Sequence, residues 1–127
     1  MKKSQVEDIH WNVLTHFLYT PDKVIHPDFF DHWQSHADEV ERGQTFRDDC
    51  DGFALTCAEI LIRKGAESKD VKLIYCKTET GGAHLVASWE SWILDNRQRF
   101  PMYWENIPYE WIKSMRLSEK GIWRKMS

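Results

Sequence analysis

At Gly65 the apolar residues of this chain change from helical to strand spacing. Upstream, Phe53, Leu55, Ile60 and Leu61 recur as they do on a helix, and Cys50, Ala54, Cys57 and Leu61 fall on one face of it. Asp48 or Asp49 can accept the free N–H groups at its start, and Gly65 supplies the stop after Lys64. Downstream, 71–77 is a β-branched and aromatic run, 78–82 is turn material, and 83–89 reads as a second strand. A third strand is expected over 92–96, after a tight turn near Trp89, Glu90 and Ser91.

The flanks are helical by the same reasoning. Val6, Ile9, Val13, Leu14, Phe17 and Leu18 give 5–19 a helical period, broken by Thr20, Pro21 and Asp22. A short second helix is expected within 27–42, opening at Pro27 and Asp28. Another is expected from about 108 to 116, with Asn106 as its cap. The fold class is therefore α+β: helices first, then a small antiparallel sheet.

Length fits one domain over 1–127, large enough to bury its own core. With 42% hydrophobic and 29% charged residues the composition is that of a soluble globular protein. The 7 Trp residues serve either a core or a cleft that grips extended peptides. A net charge of -3 with no basic stripe excludes the nucleic-acid-binding class. After Met1, Lys2 and Lys3 the chain turns polar at once, so no secretory signal is expected. No apolar run is long enough to span a membrane, and the expected location is cytoplasmic. The 3 Cys residues, an odd number without metal-type close pairs, are expected as reduced thiols.

The residues that carry chemistry begin with Cys50, in the first turn of the central helix. A helix N-terminus favours a thiolate, but its effective charge is only about half a unit. Asp48, Asp49 and Asp51 oppose it, so an imidazolium partner is required. His84 opens the second strand and shares a face with Val86 and Ser88. A hairpin centred on Trp89 and Glu90 sets Ser88 against Ser91, Val86 against Ile93, and His84 against Asp95. Opposed Cβ atoms lie about 5 Å apart, so Asp95 can accept the imidazole N–H and orient the ring, with Asn96 as the alternative orienter.

The blocks 48–54 (Asp-Asp-Cys-Asp-Gly-Phe-Ala), 82–87 (Gly-Ala-His-Leu-Val-Ala) and 94–97 (Leu-Asp-Asn-Arg) resemble the three motifs of the bacterial transglutaminase-like cysteine peptidases. Upstream, His32 and Trp33 through Glu39 resemble that family's Trp-containing segment, and the similarity runs from about Asp31 onward. The resemblance implies a transglutaminase-like (papain-like) fold, with Cys50 as nucleophile, His84 as general base and acid, and Asp95 as orienter. It implies acyl transfer on a protein or peptide substrate, through a thioester on Cys50. The oxyanion would be held by the Cys50 N–H and a side-chain donor, for which Gln44 and Trp33 are the candidates. No cofactor is required. The family's calcium dependence makes a calcium ion near Asp48, Asp49 and Asp51 an open expectation, although Gly52 stands where the family commonly has an acidic residue.

Plainer readings stand beside these. Cys57 and Cys76 are expected in the core. His26, His32 and His36 lack a metalloprotease Glu and a fourth ligand, so a packing role is preferred. The aspartate cluster is explained well enough as a helix cap. Two alternative functions share the fold: amine transfer, which differs only in what resolves the thioester, and a silent peptide-binding module.

Overall fold

In a computed structural model, which describes residues 1–20 and 34–126, one helix packs against a six-stranded antiparallel sheet and two further helices pack on that helix. The elements are α1 (Lys3–His16), β1 (Phe17–Tyr19), α2 (Ala37–Glu41), β2 (Phe46–Asp48), α3 (Cys50–Arg63), β3 (Val71–Lys77), β4 (Ala83–Trp89), β5 (Trp92–Leu94), β6 (Met102–Tyr103), β7 (Glu110–Arg116) and β8 (Arg124–Lys125). The sheet order is β6-β5-β4-β3-β7-β8, and β1 and β2 form a separate parallel pair. Pro27, Asp28 and the start expected for the second helix lie outside the described residues, as do His26, His32 and Trp33. Among the described residues no helix is long and apolar enough to cross a membrane.

The helix start expected at Asp48 or Asp49 is Asp49, and Gly65 follows the C-cap with φ +108°. The apolar face of α3 buries Phe53, Ala54, Cys57 and Leu61 against Val6 and Val13 of α1 and Leu73, Leu85 and Ala87 of the sheet. Truncating a ring such as Phe53, fully buried here, typically costs about 3–5 kcal/mol. The opposite sheet face carries Ile74, Val86 and Ile93, covered by Ile107 and Tyr109. Because both faces are covered, β4 reads as a continuous apolar run with no clean alternation. Cys57 and Cys76 are both buried and free, as expected of core thiols.

Three local expectations are corrected. Phe17, Leu18 and Tyr19 leave the helical path and pair with Phe46, Arg47 and Asp48, which delivers the chain to α3. The segment expected as a helix from 108 is β7. Its ladder with β3 sets Lys113 against Tyr75 but Trp111 against Cys76, so Ile112 is an extra residue in a bulge. The bulge turns Trp111 and Met115 to different faces, and the apolar positions Trp111, Ile112 and Met115 lose the period of two that would mark a strand.

The third correction concerns the hairpin. Its turn is Glu90–Ser91, with Trp89 opposite Trp92, Ser88 opposite Ile93 and Ala87 opposite Leu94. The register thus differs by two residues from the expected one. Glu90 takes φ +50°, a region non-glycine residues seldom enter. The turn is held from outside: Glu90 N–H donates to Asp70 O at 2.9 Å, and Trp104 N–H to Ser91 O at 3.2 Å. A two-residue slip keeps side chains on their faces, whereas one residue would have reversed them.

Candidate functional site

The start of α3 is built from the aspartates themselves. Asp49 caps it, its carboxylate accepting from Asp51 N–H at 3.0 Å and Gly52 N–H at 3.3 Å. Cys50 follows in the first turn, buried, with Sγ donating to Asp51 Oδ1 at 3.6 Å. Asp48 turns aside and accepts from Asp49 N–H at 2.7 Å and from His36 Nε2–H at 2.8 Å. The His36 ring stacks on Phe46 with centroids 4.6 Å apart, which is the packing role expected of it. A Cβ on Gly52 would collide with the Asp48 carboxylate. The glycine that departs from the family pattern is therefore what lets Asp48 lie against the helix.

Negative charge accumulates here with only partial relief from His36, His84 and the capped N–H groups. Burial, then the charge of Asp51 and Asp49, pushes the Cys50 thiol above its ordinary range, and the Leu85 backbone N–H only partly offsets this. Asp51 is itself raised to about 6, first by burial and then by Asp49. Asp49 is raised too, by burial first, with Asp48 adding to it despite the two N–H groups it caps.

The other half is assembled by the sheet. His84, at the entrance to β4, donates Nε2–H to Asp95 Oδ1 at 2.7 Å. Asp95 lies just past β5, in a turn closed by Gln98 N–H on Asp95 O at 3.1 Å. The two-residue slip makes it a diagonal rather than a direct neighbour of His84, still within side-chain reach. Asp95 Oδ1 also accepts Arg97 N–H at 3.0 Å, and Oδ2 accepts Tyr109 Oη–H at 2.6 Å. Arg97 Nη1 donates to Tyr109 Oη at 2.9 Å, and Arg97 grips Glu79 at 2.6 and 3.0 Å. The buried His10 of α1 donates Nε2–H to Asp95 O at 2.9 Å. Burial works to raise the Asp95 carboxyl, but the bond and charge of His84, then Tyr109 and the Arg97 N–H, hold it below the usual carboxylate value.

The halves meet at an open cavity of about 350 Å³. Cys50 and Asp49 line it from α3, Ala83 and His84 from β4, Asn96 and Arg97 from the turn after β5, and Tyr19 from β1. Asp95, fully buried, stands behind His84. Asn96 lines the cavity, but Asp95 is the group that bonds the ring. Gln44 is exposed before β2, its Oε1 accepting from Arg42 Nε at 3.4 Å, and is not among the cavity's lining residues; Trp33 lies outside the described residues.

A family model described as bacterial transglutaminase-like cysteine proteinase (BTLCP) matches residues 2–127. The chain belongs to this family. Solved structures of Legionella pneumophila LapG share its fold: one aligns at TM-score 0.71 with 23% identity, covering 90% of this chain and 65% of that one. The EGTA-treated form aligns at 0.70 with 23% identity, over 90% and 63%. The calcium-bound form aligns at 0.69 with 23% identity, over 90% and 65%. This chain thus spans less than two thirds of the LapG chains it matches. No curated protein matches it.

For a transglutaminase-like cysteine proteinase, this site contains several residues that the sequence did not reveal. Tyr109, Glu79 and Tyr19 reach it from three separate segments with no local pattern to flag them, whereas Arg97 closes the 94–97 block whose resemblance was already legible. His10 was legible in principle, since it falls on the buried face of α1 with Val6, Ile9 and Val13. Among the described residues no three His, Cys, Asp or Glu side chains form a group that could hold an ion. Asp48, Asp49 and Asp51 are each already engaged by protein partners.

Proposed function

We propose that residues 1–127 form one domain of a cysteine peptidase, in which Cys50, His84 and Asp95 cleave an amide bond of a protein or peptide through a thioester. The observation that carries this is a buried thiol at a helix start sharing one cavity with an imidazole whose Nε2–H is committed to a buried carboxylate at 2.7 Å. Family membership supports the same reading.

With Nε2 committed to Asp95, Nδ1 is the nitrogen left to take the Cys50 proton. The thiolate attacks the amide carbonyl, and His84 passes that proton to the leaving amine. Water then adds to the thioester, with His84 accepting its proton and returning it to Cys50 as the acid is released. Asp95 keeps the ring in the tautomer this requires and stabilises its charged form. The Cys50 backbone N–H, at the positive end of α3, is the oxyanion donor assigned here.

A calcium ion is a finer proposal, motivated by the calcium-bound Legionella protein. Oxygen donors and surplus negative charge are the right chemistry, but the carboxylates as they stand do not converge, so no step above uses a cation. The carboxylates of Asp49 and Asp51 beside the Cys50 thiol favour one second reading, a peptide-binding module without turnover.

The test is pH-dependent alkylation of Cys50, mapped by mass spectrometry, on wild type and His84→Ala, with calcium and with a chelator. Hydrolysis of fluorescently labelled casein would be followed in parallel, with and without a primary amine to detect transfer. Labelling confined to Cys50 and slowed by loss of His84 is expected. Labelling at the rate of an ordinary thiol, unchanged by His84→Ala and by calcium, would leave the binding module as the better account.

A further inference from the structure

Tyr109 has an arrangement that simple core packing does not require. Its hydroxyl sits between a carboxylate that accepts at 2.6 Å and a guanidinium that donates at 2.9 Å. Arginine has donors only, so the Tyr109 oxygen must accept from Arg97 and its single proton must go to Asp95 Oδ2. Arg97 is held in turn by two bonds to Glu79, in the turn between β3 and β4. The ring of Tyr109 also stands edge-on to His84, with centroids 5.7 Å apart at 86°. One side chain therefore touches both the imidazole and the far oxygen of its carboxylate partner.

We infer that Tyr109 is a positioning residue that fixes the Asp95 carboxylate against His84, and that Arg97 and Glu79 orient Tyr109. This rests on the reading of Cys50, His84 and Asp95 given above. Removing the hydroxyl leaves Oδ2 buried without a donor, so the carboxyl becomes more basic. It then takes a proton, and stops accepting one from His84, at higher pH. Loss of that bond to a charged group corresponds to an upward shift of the Asp95 titration, and of the acid limb it sets, by about one pH unit or more.

The experiment compares wild type, Tyr109→Phe and Arg97→Gln. Phenylalanine keeps the ring against His84. Arg97, a third exposed at its side chain, gives a second variant should loss of the buried hydroxyl prevent folding. Two readouts are taken: the His84 Nε2–H proton resonance in histidine-labelled protein, assigned with His84→Ala, and the pH profile of Cys50 alkylation. The expected result is a moved or faster-exchanging resonance and an acid limb about one unit higher in Tyr109→Phe, with a smaller change of the same sign in Arg97→Gln. An unmoved resonance and an unmoved limb in folded Tyr109→Phe would overturn the inference. A moved resonance combined with an ordinary, His84-independent thiol in wild type would overturn the parent reading, and with it any role for Tyr109 in the reaction.

Discussion

Asp51 and Asp95 are both buried carboxylates within one site, and their surroundings drive them in opposite directions. Asp95 receives an imidazole N–H, a phenol and a backbone N–H, and its carboxyl is lowered. Asp51 faces Asp49, Asp48 and a thiol, and is raised to about 6. Burial penalises both charges, so the difference lies in donors. The sheet half of the site is electrostatically satisfied, while the helix half is held in a surplus of negative charge.

The strongest challenge to this contrast is kinetic. Cys50→Ala and His84→Ala should each lower casein hydrolysis about 1,000-fold or more, since groups acting as a unit are lost together. If His84→Ala spared both turnover and Cys50 labelling, the two halves would be structurally adjacent but chemically unconnected.

Next in size is a pair of deletions with opposite signs. Asp95→Ala strands the donors of His84, Tyr109 and Arg97, and should destabilise the fold by about 3–5 kcal/mol in urea unfolding. Asp51→Asn should instead stabilise it by about 1–2 kcal/mol at pH 7 to 8. The sign follows from linkage: a raised carboxyl binds its proton more tightly when folded, so stability is present below pH 3.8 and lost as pH rises through about 6. The variants should therefore converge near pH 4 and separate above 6. Equal curves at every pH would remove the strain from the helix half. The same substitution should speed alkylation of Cys50, whose thiol is raised by burial and next by Asp51.

His10 sharpens the sheet half. Burial lowers it from 6.5, partly countered by its bond to Asp95 O, and its Nδ1 has no partner. Because the unfolded chain takes this proton first, His10 should remove stability as pH drops through 6.5, opposite in sign to the gain from Asp51 below about 6. His10→Leu should flatten that slope in thermal scans while costing about 1–2 kcal/mol for the lost bond to Asp95. The smallest effect is expected at Glu79→Gln. Its exposed ion pair with Arg97 is worth about 0–1 kcal/mol, so a change in unfolding above 2 kcal/mol would mean that the network is more cooperative than its exposure implies.

Much of this was readable in advance because it is local. The Asp49 cap, the helical face of Cys50, Ala54, Cys57 and Leu61, the stop at Gly65 and the strands 71–77 and 83–89 each follow from neighbours within a turn or a pleat. The pairing of His84 with Asp95 was legible for a more fragile reason. The expected hairpin was wrong by two residues, and only the even size of that error kept both side chains on one face.

Tertiary structure decided what local preference could not. The turn at Glu90 has no residue suited to φ +50°, and it is held by Asp70 and Trp104, which lie 20 and 14 residues away along the chain. β7 reads as a helix until β3 is beside it and the bulge at Ile112 is explained. The donors that separate Asp95 from Asp51 come from β4, from the turn after β5, and from the approach to β7. A sequence specifies its own hydrogen-bonding preferences residue by residue, but which carboxylate gains donors depends on segments brought together only when the core closes.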